Sequence, residues 1–269
     1  MILDSLDDVP QLNDIIIIGA GPAGISTALQ LEKRGIKSII FEAGGLNFDG
    51  NSQLFYKGNT IGDEYPDLTT SRLRQFGGTS GHWGGNCLEL DEYDFTSWPI
   101  TKDDLKLYKA LSYKILNIKG NFQKKKFNDN LDYFNLNWSN VRFKTKYFNK
   151  IKNSKTISLI LNCPIIMMNG ENGEVHNVTF FKKKLKKIKS KYFVLSTGGI
   201  ENSRLLLWFR ENNSNLLDNL YEFIHIYNIK KYNNYNNLNI YINVLDYILV
   251  TIYLLLIRTS KQIFSSRNI

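Results

Sequence analysis

Cysteine is scarce in this chain. Of 269 residues only Cys87 and Cys163 carry a thiol, and they stand far apart at no metal-binding or redox spacing. That excludes a disulfide framework, points to no metal site, and fits two ordinary thiols in a reducing, cytoplasmic compartment. The first fourteen residues, MILDSLDDVPQLND, are acidic and lack a long apolar core, so no signal peptide is expected in them. Glycine runs out as well. Nineteen glycines are present but none follows Gly199, and from Asn219 onward alanine, proline, cysteine, methionine and tryptophan are missing too. Ile, Asn, Tyr, Lys, Leu and Phe take their place. AT-rich codons favour such text, and a shifted reading frame or a run-on into intergenic sequence would produce it; a stop-truncated gene is then the expected reason for a short chain. Within it Ile240 to Arg258 approaches the length of a bilayer span, with Arg258 and Lys261 at its far end. Asn243 and Asp246 interrupt the apolar run, so membrane association through 240–258 stands beside a buried or interfacial helix as an alternative.

Acidic residues are outnumbered, 25 against 34 lysines and arginines, for a formal charge of +9. The excess is concentrated in Lys124 to Lys126 and in KKKLKKIKSK, Lys182 to Lys191. Such a run could meet nucleic acid or an anionic membrane. No recognisable nucleic-acid motif accompanies it, so a solvated turn between strands is expected, and no nucleic-acid partner. The length allows one large domain or two ordinary ones with a real core.

What is present starts with NDIIIIGAGPAGISTALQLEKRGIKSIIFEAGG, Asn13 to Gly45. Ile15 to Ile18 are β-branched and uniformly apolar, as a strand buried on both faces of a parallel sheet should be. Gly19, Gly21 and Gly24 follow, with Pro22 and Ala23 between the last two, and lead into a helix with Ile25, Ala28, Leu29 and Leu31 inward, ending near Gly35. KSIIFE is a second strand with Glu42 at its end. Gly19 makes the tight turn, Gly21 lets the backbone approach a pyrophosphate, and Gly24 lets the helix lie close on the strand. Glu42, eighteen positions after Gly24, is placed to accept hydrogen bonds from a ribose. This predicts an α/β, doubly wound dinucleotide-binding fold. An acid at the ribose position argues against a 2′-phosphate, which leaves FAD and NAD.

The next motif is TSRLRQFGGTSGHWGGN, Thr70 to Asn86, followed by SWPITKDD. It resembles the glucose–methanol–choline (GMC) oxidoreductases, in which an arginine-containing segment leads into a GG-T/S-S loop and WPI precedes a helix. The matching residues are Arg72, Arg74, Gly77, Gly78, Thr79, Ser80, His82, Trp83, Gly84, Gly85, Trp98 and Pro99. Thr101 reads as a helix N-cap with acids in the first turn. The resemblance implies FAD as the cofactor, with the glycine loop against the flavin ring and Thr79 and Ser80 near its polar edge. His82 before Trp83 is similar to the pyranose oxidase and sugar dehydrogenase branch, where this histidine is the covalent attachment point. Three readings of His82 stand: a covalent link, a non-covalent flavin contact, or a structural histidine. Trp83 is read as a packing residue.

The third motif, KYFVLSTGGIENSRLLLWF, runs from Lys191 to Phe209. It reads as strand, turn and helix, with Leu205 to Leu207 on the buried face. By resemblance Thr197, Gly198, Gly199, Glu201 and Asn202 lie near the flavin diphosphate. The preceding stretch reads as short strands with the lysine run at a hairpin tip, Cys163 to Ile165 near the adenine end, and His176 as an exposed strand residue.

The chain is shorter than the family's members, and no segment resembles the one that carries the family's catalytic histidine pair; His225 is given no role. The expected layout is an FAD-binding domain over 1–215, an antiparallel substrate-cap portion around 120–150, and an atypical tail over 216–269. The resemblance implies an enzyme that oxidises an alcohol, a sugar or polyol, by hydride transfer to FAD, with oxygen, a quinone or a carrier protein as acceptor. Two alternatives are a non-catalytic FAD-binding remnant and one half of a split enzyme whose partner chain supplies the rest.

Overall fold

The computed structural model describes residues 1–61, 65–96, 100–129, 131–171, 174–212 and 255–258. Trp98, Pro99 and His225 therefore lie outside the described residues, as does most of the tail. The dinucleotide unit forms as β1 (Leu12–Ile18), α1 (Pro22–Lys33) and β2 (Ser38–Phe41). Pro22 opens α1, where its missing N–H costs nothing and its fixed φ suits the first turn. An excursion follows that contains the short α2 (Gly50–Gln53), and then the Gly77–Asn86 loop enters β3 (Asn86–Cys87).

α3 (Lys102–Leu116) starts at Thr101, whose hydroxyl accepts from the Asp104 N–H while the Asp104 carboxylate accepts from the Thr101 N–H. This capping box satisfies two helix-end donors at once. Next come the short strands β4 (Lys124–Lys126), β5 (Asp132–Phe134) and β6 (Asn137–Trp138). β4 pairs antiparallel with β5, and β6 pairs with β3. Antiparallel pairing in the expected cap stretch stops there. Residues Phe143–Lys152 are a helix, α4, with Phe143, Tyr147 and Ile151 buried. Those residues recur at helical spacing and pack on the same side of the main sheet as Ile25 and Leu29 of α1.

The main sheet is completed by β7 (Ile157–Ile160), β8 (Ile165–Glu171), β9 (Glu174–Lys182), β10 (Lys184–Leu195) and, after α5 (Gly199–Asn212), by β11 (Leu255–Arg258). Its order is β7-β2-β1-β10-β9-β8, with β11 also on β10. β7, β2, β1 and β10 run parallel, while β9 and β8 continue antiparallel. β10 belongs to both regions. Its first half, Lys184 to Ile188, pairs with β9, and its second half, Lys189 to Leu195, pairs with β1.

The sequence explains the division. Lys187, Lys189 and Lys191 are exposed while Ile188 and Ser190 between them are buried, whereas Phe193, Val194 and Leu195 are all buried. Alternation suits a sheet wet on one face, and a continuous apolar run suits a covered one. The lysine run is accordingly less of a turn than its composition suggests. The turn is confined to Lys183, at φ 63°, between two paired strands. Ile16 and Ile18 enter one apolar cluster with α5 and the β8–β9 hairpin, and Ile17 enters the other with α1 and α4. Both faces of the parallel region are covered, as a doubly wound α/β fold requires.

Among the described residues no helix is long and apolar enough to cross a membrane. Of the stretch weighed for membrane association, 255–258 is strand and 240–254 lies outside the described residues.

Candidate FAD site

The parallel strands end together, and three segments distant in sequence meet above them: the Gly19–Gly24 turn, the Gly77–Asn86 loop and the Ser196–Glu201 turn. They line one cleft of about 900 Å³. Of the residues singled out from sequence, Gly19, Gly21, Pro22, Ala23, Glu42, Arg74, Gly78, Thr79, Ser80, His82, Trp83, Gly198 and Gly199 line it. Gly24 and Gly77 lie just behind the wall.

The glycines differ in purpose. A Cβ on Gly24 would lie 2.0 Å from the Gly19 carbonyl oxygen and 2.7 Å from Ser196 Oγ, so helix α1 approaches β1 only because that atom is missing. A Cβ on Gly21 would find its nearest protein atom 4.0 Å away. No neighbour in the chain requires glycine at Gly21, and the space it leaves faces the N-terminus of α1. Free amides and the helix dipole favour an anion there.

Gly77 and Gly78 are shaped by the protein itself. Both sit at positive φ, 90° and 54°. A Cβ on Gly77 would meet the Lys144 backbone nitrogen at 2.8 Å, and one on Gly78 would meet the Gly21 Cα at 3.0 Å. The Gly77 N–H also donates to the Ala20 carbonyl at 2.8 Å. This loop therefore braces the dinucleotide turn.

The Ser80 hydroxyl is likewise engaged inside the chain, donating to the Gly77 carbonyl at 2.6 Å and accepting from the Phe143 N–H at 3.1 Å. Thr79 Oγ1 accepts from the Leu73 N–H at 3.3 Å. Trp83 packs edge-on to Phe143 and donates its indole N–H to the Val141 carbonyl at 2.9 Å. His82 is exposed on the cleft wall.

Glu42 is buried at the end of β2, with one carboxylate oxygen accepting from Ala20 N–H and the other from Gly44 N–H, each at 2.8 Å. Burial pushes its carboxyl above the ordinary glutamate range, opposed by the amides of Gly44, Ala20 and Ala43 and by Arg74. The third segment is held by Asn202. Its side-chain oxygen accepts from the Thr197 N–H at 2.9 Å and from the Thr197 hydroxyl at 2.6 Å, while its own N–H donates to the Gly198 carbonyl at 2.8 Å. Gly198, at φ 92°, turns the chain into α5, so a second helix N-terminus opens on the cleft.

Cys163, Pro164 and Ile165 line the cleft beside Glu42, where the sequence placed the adenine end. Tyr56 and Tyr65, which also line the cleft, had no signal of their own, and the contacts of Arg72 had none. The two tyrosines sit in an aperiodic excursion, and the partners of Arg72 are 16 and 129 positions away from it in the chain. Among the described residues no group of His, Cys, Asp and Glu side chains is arranged to hold a metal ion.

Comparisons with known proteins agree with this geometry at the glycine turn. Residues 14–54 match the family model described as an FAD binding domain. Over 50 residues the chain is 46% identical to the thiamine thiazole synthase of Sulfolobus acidocaldarius, which is 17% of this chain and 18% of that protein. Over 64 residues it is 38% identical to the thiamine thiazole synthase of Saccharolobus islandicus, 21% of this chain and 23% of that one. These matches thus span about a fifth of the curated relatives' length.

Among solved structures, pyridoxine 4-oxidase from Mesorbium loti overlays with a TM-score of 0.45 at 15% identity, covering 72% of this chain and 51% of that one. The myxobacterial chondrochloren halogenase overlays with a TM-score of 0.38 at 15% identity, covering 70% and 38%. The group that fits an open cradle at Gly21, a buried acid at the end of β2 and two helix N-termini is a dinucleotide, and the cofactor of this α/β unit is FAD.

Proposed function

We propose that the chain is the flavin-binding part of an FAD-dependent oxidoreductase of the GMC type, acting on the CH–OH group of a sugar or polyol. The observation that carries the reading is the convergence of its three motifs on one cleft. When bound, FAD supplies the hydride acceptor. The chain's own residues hold and orient it. Gly21 and the amides opening α1 take the diphosphate, Glu42 takes ribose hydroxyls, and the Thr197–Gly199 turn adds the amides of α5. Thr79, His82 and Trp83 form the wall along which the flavin ring would lie. His82 is the one histidine among the described lining residues, and its exposure leaves the ring free for a covalent link to the flavin.

A second reading, a flavin-binding module whose proton acceptor comes from another polypeptide segment, is favoured by the exposed apolar side chains beyond α3. Phe127, Leu131, Tyr133, Leu136 and Trp138 are each more than half exposed. A segment covering them would bring the base that these residues lack.

An absorption spectrum of the purified chain, repeated on the pellet after acid precipitation, tests the cofactor and its linkage. Flavin retained in the pellet, and lost from it in His82→Ala, supports the covalent link. Flavin released to the supernatant removes that link and keeps the site. Anaerobic addition of sugars, polyols and simple alcohols then tests the reaction. Bleaching by one substrate class supports alcohol oxidation, and bleaching only after a second chain is supplied supports the module.

A further inference from the structure

Among the described residues Arg72 stands in the cleft without adequate hydrogen-bond partners. Its guanidinium lies 4.0 Å over the Tyr56 ring, and its side chain is 14% exposed. Glu201, in the first turn of α5, is the nearest acid, at 3.7 Å from Nη1, which is an ion pair but too long for a hydrogen bond. Nε and Nη1 are buried and have no hydrogen-bond partner among the described residues. Glu201 is already committed, since Arg204 holds it through Nε at 3.0 Å and through Nη2. The other acid lining the cleft, Glu42, accepts from two backbone amides and has Arg74, not Arg72, as its charged neighbour. Tyr56 and Tyr65, which also act on Arg72, are phenols, and Arg204 adds a second positive charge. Among the described residues two guanidinium groups therefore share one carboxylate, and a buried positive charge is left over. Buried charges are matched by an anion or a hydrogen-bond acceptor. A neutral sugar ring or an oxidised flavin ring offers acceptors but cannot balance that charge. A diphosphate can, and the two helix N-termini that favour one open on the same cleft.

We propose that Arg72 is a binding residue for the diphosphate of the dinucleotide, with Glu201 as its counter-ion when the cleft is empty. The proposal rests on dinucleotide occupancy of the cleft and is independent of which substrate is oxidised. Arg72 uses charge and a planar fork of donors, so lysine should replace it only in part.

The test is titration of the full chain and its variants with FAD and, separately, with ADP, which carries the diphosphate without the flavin. Arg72→Gln is expected to weaken both ligands by about 10–100-fold, with Arg72→Lys between it and the wild type. Glu201→Gln frees both arginines and is expected to leave affinity unchanged or tighter. The dependence of log Kd on log salt should be shallower in Arg72→Gln than in the wild type.

A brace for the fold would behave differently, since Arg72→Gln and Glu201→Gln would then weaken binding together and lower the melting temperature together. That result overturns the proposal. So does loss of FAD binding with ADP binding intact, because Arg72 would then act on the flavin half. A wild-type chain that binds ADP and no flavin leaves Arg72 supported and removes the oxidoreductase reading. A wild-type chain that binds neither overturns both.

Discussion

Gly21 and Gly24 lie three residues apart on the same turn, and replacing each by alanine should break different things. At Gly24 the new methyl group would lie 2.0 Å from the Gly19 carbonyl, 2.7 Å from Ser196 Oγ and 3.1 Å from Ile17 Cγ2. Ordinary contact begins at 3.4 Å, so helix α1 must retreat by more than an ångström. Overpacking of this kind costs about 1–3 kcal/mol. Alanine's better helix propensity returns roughly 0.5–1 kcal/mol of that. The net loss of up to about 2.5 kcal/mol corresponds to a fall in Tm of up to roughly 10 °C for a domain of this size.

At Gly21 the nearest protein atom to the new methyl is 4.0 Å away, and φ −79°, ψ −175° is open to alanine. Stability should therefore move by less than about 0.5 kcal/mol, as for an uncrowded surface site. The methyl would instead occupy the space left for the diphosphate. Losing even one charge-assisted hydrogen bond there, worth about 1.5–3 kcal/mol, weakens FAD by roughly tenfold or more. Thermal unfolding without ligand and fluorescence titration with FAD measure the two effects separately. Gly21→Ala binding FAD like the wild type would refute the cradle. Gly21→Ala melting as low as Gly24→Ala would refute the steric argument.

Glu42 should make stability depend on pH in an unusual direction for an acid. Its folded carboxyl is held above the unfolded value near 4.5 by burial, so its contribution is full below that pH and lost as pH rises through the folded value. Melting curves at rising pH should show wild-type stability falling relative to Glu42→Gln above about pH 4.5. A flat difference refutes the assignment. Phe41→Ala removes a fully buried ring stacked 3.8 Å from Phe180 and should cost about 3–5 kcal/mol in chemical denaturation. Cys163 is buried with its thiol pushed up to about 12, and Cys87 is buried and raised as well. A thiol reagent at pH 8 should leave both unmodified in the native chain and modify both after denaturation.

Wherever one function occupies contiguous residues, the sequence determined it. The run Ile15–Ile18, the spacing of Gly19, Gly21 and Gly24, and Glu42 closing the next strand specify a covered parallel strand, a tight turn and an acid at a strand end. The structure contains all three. Thr101 with Asp104, and the strand, turn and helix around Gly198, are legible for the same reason, because local backbone chemistry fixes them.

The tertiary structure decided everything that depends on distant partners. Periodicity would have allowed α4, but only packing beside α1 moves residues 143–152 from an expected cap onto the main sheet. The lysine run became strand because β9 and β1 offer its backbone a ladder along its length. Gly78 is held glycine by Gly21, and Ser80 is engaged by Phe143, 63 positions away in sequence. Arg72 meets Glu201 across 129 positions of sequence. Spacing along a chain carries no information about such pairs. They exist because the strand ends of one parallel sheet bring the three motifs to the same place.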